Sequence, residues 1–120
     1  MNYAGFPLIL ALACGACAPS SGAVSQDRIL RASYVWGPEV NTLKPCGSDS
    51  TFWVLAKPDV IARLRTAHDS IRTRPYEPIY ISVQGHRSAQ PTDGFAEETN
   101  GYFEVTAILE VRRLRQGECG

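Results

Sequence analysis

Two histidines, four cysteines and one adjacent pair of carboxylates are the residues of this chain whose types could do chemistry. His68 and His86 lack cysteine or carboxylate partners at the spacing that zinc sites usually show, so we expect solvated histidines rather than metal ligands. Glu97 and Glu98 could act as an acid–base pair, but neighbouring carboxylates in a loop are usually just solvated. No nucleophile elbow, zinc-protease helix or phosphate-binding loop occurs in the sequence. We therefore predict a protein that is not an enzyme and that takes no metal and no cofactor.

The first two cysteines lie in an uncharged, apolar N-terminus. Residues 1–18 read MNYAGFPLILALACGACA, which is short for a bilayer-spanning helix and typical of the apolar part of a secretory signal. The end of this run, LACGAC, resembles a bacterial lipoprotein signal, in which small residues precede a cysteine that becomes lipidated. Gly15 and Ala16 precede Cys17, so we predict lipidation at Cys17, with Cys14 as the alternative.

The predicted export signal determines how we divide the chain and where we expect the protein to be located. We assign residues 1–17 to the signal, 18–27 to a flexible tether of small and polar residues, and 28–120 to one folded domain. Lipid on a cysteine anchors a chain to a membrane. The residue after either candidate cysteine is not aspartate. By resemblance to the sorting of lipoproteins, this favours the periplasmic side of the outer membrane in a bacterial cell envelope.

The charge balance argues against one class of partner. The chain has 12 lysines and arginines and 12 aspartates and glutamates, without a block of like charge. Nucleic-acid binders usually carry a basic stripe, so we expect no nucleic-acid partner. The expected partners are the membrane, through the lipid anchor, and an envelope protein or glycan. The sequence leaves the oligomeric state open.

Three strands are predicted at the start of the folded domain. The segment 29–36 alternates between apolar and polar residues, and 52–56 is rich in β-branched and aromatic residues. Between them, 41–45 predicts a short strand at a sheet edge, because Pro45 cannot donate a backbone hydrogen bond. The turn residues GSDS, at 47–50, separate the second strand from the third.

A helix and two more strands follow. The helix begins at Lys57-Pro58-Asp59, with Asp59 as the expected N-cap, and its apolar stripe consists of Val60, Ile61, Leu64, Ala67 and Ile71. A strand is predicted over 79–83, with Gly85 permitting a bulge, and a polar loop over 88–101. The last strand covers 102–111 and places on one face Phe103, Val105, Ala107, Leu109 and Val111.

The order of three strands, one helix and two strands predicts a mainly β fold with one helix, a five-stranded OB-like barrel. OB-folds bind oligosaccharides and nucleic acids through aromatic platforms. Aromatic residues in strands more often fill the core, but such a platform could be built here from Trp36, Trp53, Tyr80 and Tyr102. The candidate binding residues are Trp36, Trp53 and Tyr80, together with three acidic loop residues, Asp93, Glu97 and Glu98.

A series of residues across the folded domain carries a resemblance to a known family. The series contains Tyr34 and Trp36, Pro45-Cys46, Phe52 and Val54, EPIYISVQG over 77–85, and Gly117-Glu118-Cys119. It resembles the C-terminal domain of NlpE-type outer-membrane lipoproteins, which are linked to copper resistance and envelope-stress signalling. The resemblance covers residues 28–119.

The resemblance implies an OB-fold, a binding or sensing role, and a disulfide between Cys46 and Cys119. An even number of cysteines in a small exported domain also suggests a disulfide. Two alternatives stay open. The chain could be a small exported inhibitor or binder of an envelope hydrolase, for which the loop 88–101 would be the contact, or an oligosaccharide-binding module.

Overall fold

The computed structural model describes residue 15, residues 26–89 and residues 94–120. Three predicted site residues, Cys14, Cys17 and Asp93, lie outside the described residues. In chain order, the elements are β1 (Arg28–Gly37), β2 (Val40–Pro45), β3 (Phe52–Ala56), α1 (Pro58–Ile71), β4 (Ile79–Ser88), a 3₁₀ helix (Gly94–Glu98) and β5 (Tyr102–Arg112).

The five strands close into a barrel in the order β1-β2-β3-β5-β4. Neighbouring strands are antiparallel except β3 and β5, which are parallel. The barrel closes because β1 is long enough to pair with β4 through its first part and with β2 through its second. The predicted mainly β, OB-like barrel with one helix is therefore confirmed.

The expectation that β2 lies at a sheet edge is wrong. β2 pairs with β1 on one side and with β3 on the other. Pro45 is tolerated because it is the last residue of β2, opposite Ala32, and Cys46 continues the contact by donating its backbone N–H to the carbonyl oxygen of Arg31 at 2.9 Å.

The core is built from inward-facing side chains of all five strands and of the helix. Burying an aliphatic or aromatic side chain contributes about 1.5–3 kcal/mol, so this set supplies most of the stability. Its members are Ala32, Tyr34, Leu43, Phe52, Val54, Val60, Leu64, Ile79, Ile81, Val83, Phe103 and Val105.

One polar chain lies inside this core and is internally paired. The hydroxyl of Tyr34 donates to Oδ1 of Asn41 at 2.7 Å, and Nδ2 of Asn41 donates to the carbonyl oxygen of Val54 at 3.2 Å. Burial raises the pKa of Tyr34 well above its usual value. Because buried polar groups are costly unless they are hydrogen-bonded, this chain fixes β1, β2 and β3 against one another.

The helix starts two residues earlier than expected. Lys57 is the N-cap and makes no side-chain capping bond, while Pro58 occupies the first helical position. Proline suits that position because its φ is already helical and its missing N–H has no intrahelical partner there. Asp59 is therefore not the N-cap, although its carboxylate lies in the first turn, where negative charge is favoured.

The expectation of a solvated His68 is also wrong. His68 is fully buried, and its Nε2 lies 2.7 Å from the carbonyl oxygen of Glu77. Its ring meets that of Tyr34 edge-on, with 6.0 Å between centroids. Val60, Leu64 and His68 recur every four residues, so the buried stripe of α1 runs through the histidine.

β5 departs from simple alternation. Its register with β4 passes over Thr106 and Leu109, so each is the extra residue of a β-bulge. A bulge shifts the side chains that follow by one position. The prediction that Leu109 faces the core is therefore wrong: it is 49% exposed, and Ile108 packs against the core instead. The bulge predicted at Gly85 coincides with an irregularity of this register.

Candidate ligand-binding face

One row of outward-facing side chains crosses four neighbouring strands. Val35 of β1 is paired with Thr42 of β2, Thr42 with Trp53 of β3, and Trp53 with Tyr102 of β5. Each lies beside an inward-facing, buried residue of its own strand and so points outward. Strands lie about 4.8 Å apart, so the row extends roughly 14 Å around the barrel. Together with Leu55, these four residues form what we name the Trp53 face.

Trp53 and Tyr102 give the Trp53 face its capacity to bind. Both are half-buried, so each ring is held in place and still reaches the solvent. Neither the indole N–H of Trp53 nor the phenol O–H of Tyr102 is hydrogen-bonded within the part of the chain that the structure describes. Such side chains offer a large apolar surface with a polar group at one end. Leu55, which is 38% exposed, extends the apolar area.

The end of the loop between β4 and β5 is fixed beside this face. The backbone N–H of Asn100 donates to the carbonyl oxygen of Thr51 at 2.8 Å, and the backbone N–H of Thr51 donates to Oδ1 of Asn100 at 2.9 Å. The backbone N–H of Trp53 donates to the carbonyl oxygen of Gly101 at 2.9 Å. These bonds continue the β3–β5 pairing into the loop and hold the loop end next to Trp53.

The charges around the Trp53 face balance. Lys44 follows Thr42 by two residues on β2 and is exposed, whereas Glu104 follows Tyr102 by two residues on β5. Because side chains two residues apart share a face of a strand, one positive and one negative group flank the aromatic row. The face therefore favours a partner without strong net charge.

Trp36 lies away from the Trp53 face. It packs against the margin of the core, and the guanidinium of Arg65 lies 4.0 Å from the centroid of its ring. With Tyr76 it lines a pocket of about 120 Å³. Trp36 therefore belongs to the contact between β1 and the helix rather than to a platform with Trp53.

Tyr80 is inaccessible to a ligand. It points outward from β4 but is only 3% exposed, because two arginines cover it. The guanidinium carbon of Arg112 lies 3.8 Å from its ring centroid, and that of Arg31 lies 5.5 Å away. Nε of Arg31 also donates to the hydroxyl of Tyr80 at 2.9 Å. A ligand cannot stack on Tyr80 in this arrangement.

The disulfide between Cys46 and Cys119 is confirmed, and it holds the C-terminal tail over Tyr80. Glu118 accepts two hydrogen bonds from Arg112, each 2.8 Å long, and lies 3.6 Å from Arg31. The bonds from Arg112 lower the pKa of Glu118 to about 2. The disulfide and these charges form one contact cluster, which we name the C-terminal staple: Arg31, Cys46, Tyr80, Arg112, Glu118 and Cys119.

The two acidic loop residues that the structure describes make no ion pair within residues 15, 26–89 and 94–120. Glu97 and Glu98 are exposed on the 3₁₀ helix, next to Phe95, which is 58% exposed. Of the predicted binding residues that the structure describes, only Trp53 lies on the candidate face, where Tyr102 joins it. Val35, Thr42 and Leu55 were not predicted as binding residues. The alternation within each strand indicates that they face outward, but it does not predict which residues of neighbouring strands lie side by side.

His86 connects three parts of the barrel. Its Nδ1 lies 2.8 Å from Oδ1 of Asp27, just before β1, and its Nε2 lies 3.3 Å from Oε2 of Glu104 on β5. The other oxygen of Asp27 accepts a hydrogen bond from Thr106. The bond to Asp27 raises the pKa of His86, and the bonds from Thr106 and His86 lower the pKa of Asp27. We name this contact the His86 clasp.

Two kinds of feature are absent from residues 15, 26–89 and 94–120. No group of three or more histidine, cysteine, aspartate or glutamate side chains in these ranges could hold a metal ion. No helix in them has the length and apolar character needed to cross a membrane.

Comparison with known proteins does not extend this description. The chain matched no protein-family model, no curated protein and no solved structure. The candidate face therefore rests on its geometry and on the chemistry of its side chains.

Proposed function

We propose that this chain is a non-catalytic binding module of the bacterial cell envelope and that its partner binds at the Trp53 face. One observation carries the proposal: Trp53 and Tyr102 are neighbours on the outer face of the barrel, and their N–H and O–H groups are uncommitted within the described residues. Strands 2 and 3 of OB-folds commonly form the ligand-binding face, and Trp53 lies on β3 opposite Thr42 of β2.

The partner that suits this face best is an envelope protein. Tryptophan and tyrosine dominate the binding energy of many protein interfaces, where they lie in the centre of a patch with little charge. The charge balance around the Trp53 face agrees with such a patch. The resemblance of residues 28–119 to the C-terminal domain of NlpE-type lipoproteins suggests a role in sensing envelope stress or copper. An envelope glycan, which would stack on the same rings, is the second candidate.

Site-specific crosslinking in intact cells tests the proposed face. A photo-crosslinking amino acid at Thr42, beside Trp53, should capture a partner, whereas the same group at Ala62, exposed on α1, should not. An adduct that protease removes identifies a protein partner, and one that only glycosidases remove identifies a glycan. Identical adducts from both positions, or none from Thr42, would refute a binding role for this face.

Truncation of Trp53 provides the energetic test. We expect Trp53→Ala to reduce the yield of the Thr42 adduct at least roughly tenfold, because a central interface tryptophan commonly contributes 2 kcal/mol or more. Leu109→Ala is the matched control, since Leu109 is an exposed apolar residue of β5 outside the face. Thermal unfolding of both variants shows whether each is folded. Unchanged capture by a folded Trp53→Ala protein would contradict the proposal.

The anchor is a separate part of the proposal. We propose that Cys17 carries the lipid that holds the module to the outer membrane. Cys17→Ser should then abolish incorporation of labelled fatty acid and release the chain from the membrane fraction, while Cys14→Ser should leave both unchanged. Loss of label only in Cys14→Ser would move the site to Cys14. Label independent of both residues would overturn the anchor.

A further inference from the structure

A pocket of about 440 Å³ opens at the end of the barrel where β1 begins and β4 ends. It shares no lining residue with the Trp53 face. Its volume falls within the range of about 300–1,000 Å³ typical of small-molecule sites, which often occupy the mouths of β-barrels. The residues that line it are Gln26, Arg28, Ile29, Leu30, Gly85, His86, Arg87 and Phe103.

The charge of this pocket is one-sided. Three basic side chains and no acidic side chain line it, in a chain whose net charge is zero. His86 is already engaged by carboxylates in the His86 clasp. Arg28 and Arg87, by contrast, have no carboxylate partner among the described residues. The guanidinium carbon of Arg87 lies 4.6 Å from the ring centroid of Phe52, which leaves its N–H groups free to bind an anion.

Apart from Gln26 and Gly85, the rest of the lining is apolar. Ile29 is 65% exposed, the largest exposure among the large hydrophobic residues of the described chain, and Leu30 is half-buried. Phe103 and the buried Gly85 close the inner side, where the ring of Phe103 lies close to the glycine. Apolar area beside basic side chains is the kind of surface that an amphiphilic ligand would cover.

We propose that this pocket binds a small amphiphilic anion, an apolar chain that ends in one carboxylate or phosphate group. The head group lies between Arg28 and Arg87, and the chain covers Ile29, Leu30 and Phe103. The larger groove between α1 and β5, about 550 Å³, shows no such preference, because Arg63 and Glu110 balance each other there. The site is independent of partner binding at the Trp53 face.

Titration with ligands that share one tail separates the contribution of the head group. The probes are decanoate, decyl phosphate, decanol and decyltrimethylammonium, each below its micelle concentration. The protein is the full chain with Cys14→Ser and Cys17→Ser, so that no acyl chain is attached and no detergent is needed. We expect at least one of the two anions to bind roughly tenfold more tightly than decanol, because guanidinium–anion hydrogen bonds are among the strongest. Which of the two binds more tightly distinguishes a carboxylate from a phosphate site.

Two variants test the named arginines. Arg28→Gln and Arg87→Gln should each weaken binding of the preferred anion roughly tenfold and leave binding of decanol unchanged. Arg63→Gln, which removes the same charge from the exposed surface of α1, is the matched control and should bind like the parent chain. Ile29→Ser should weaken decanol and the anions alike.

Three results would overturn the inference: decanol binding as tightly as both anions, parent-like anion binding by folded Arg28→Gln and Arg87→Gln proteins, or no anion binding at millimolar concentration. A failure of the Trp53 face in the crosslinking experiment would leave these outcomes unaffected.

Discussion

The protonation of His86 is linked to the structure through the two carboxylates that flank its ring. The bond to Asp27 raises the pKa of His86 above its ordinary 6.5, and the bonds from Thr106 and His86 lower the pKa of Asp27 below 3.8. A neutral imidazole has one N–H, so only the protonated ring donates to both Asp27 and Glu104. The imidazolium therefore joins β1, β4 and β5 more tightly than the neutral ring.

The sign of the pH dependence follows from these directions. The contribution of His86 is fully present below pH 6.5 and is lost as the pH rises through its raised folded-state pKa. The contribution of Asp27 is present above pH 3.8 and is lost as the pH falls through its lowered folded-state pKa. The clasp therefore stabilises the fold most between pH 3.8 and pH 6.5.

We predict that His86→Gln lowers the free energy of unfolding more at about pH 5.5 than at about pH 8.5, because glutamine carries no charge at either pH. Urea unfolding at the two pH values measures the difference. Asp49→Asn is the control: Asp49 is exposed in the loop between β2 and β3, and its replacement should have the same effect at both pH values. An equal loss at both pH values for His86→Gln would show that the clasp does not depend on the charge of His86.

The burial of His68 is one feature of the fold that the sequence did not predict. Leu64 and the other members of the stripe were predicted from helical spacing, yet His68 was read as polar and therefore solvated. Its position four residues after Leu64 was available in the sequence. Its acceptor, the carbonyl oxygen of Glu77, lies in the segment after α1, and no periodicity predicts that contact.

At the scale of elements, the bulged pairing of β4 and β5 depends on Gly85. A Cβ atom at this position would run into the carbonyl oxygen of Glu104 and would lie 2.6 Å from Cε1 of Phe103. The first of these is backbone in a paired strand and has little freedom to move. We therefore predict that Gly85→Ala lowers the free energy of unfolding by about 1–3 kcal/mol, the usual cost of overpacking.

Urea unfolding also checks this prediction. Gln84→Ala, at the exposed neighbouring position, should stay within about 0.5 kcal/mol of the parent chain. A Gly85→Ala protein as stable as Gln84→Ala would mean that β5 shifts away from β4 at low cost.

The elements themselves were largely predictable, and their alignment was not. Alternation placed β1, β2, β3 and β4, and helical spacing placed α1. The extra residues Thr106 and Leu109 were not predictable, because a bulge is a property of two paired strands and the alternation of one strand does not report it. For the same reason, the sequence identified Trp53 as an aromatic candidate but could not place it between Thr42 and Tyr102.

At the scale of the whole molecule, the closed barrel presents surfaces that differ in charge on its different sides. The β1-β2-β3-β5 side presents the Trp53 face, whose flanking charges balance. The end where β1 begins presents a pocket whose two arginines have no carboxylate partner among the described residues. The C-terminal staple covers the outer side of β4, so Tyr80 is withdrawn from solvent. These surfaces can bind different partners because they share no residue.

The C-terminal staple also links Cys119 covalently to Cys46, and this link should contribute to stability. The disulfide joins residues 73 positions apart. Closing a loop of this length in the unfolded chain corresponds to roughly 4–5 kcal/mol in the chain-entropy model, and residual structure in the unfolded state lowers that value. We predict that Cys46→Ser with Cys119→Ser reduces the free energy of unfolding by up to about 4 kcal/mol, a large share of the 5–15 kcal/mol of a typical domain.

Unfolding of the parent chain with and without reductant provides the measurement, and mass mapping of the non-reduced chain verifies the bond. Glu118→Gln with the disulfide intact is the matched control, because it removes the charged contact with Arg112 and keeps the covalent link. Glu118→Gln should lose less free energy of unfolding than the double cysteine variant, because the disulfide still holds the tail beside Tyr80. A melting temperature that reductant leaves unchanged would mean that the bonds of Glu118 and the cover over Tyr80 hold the tail without the disulfide.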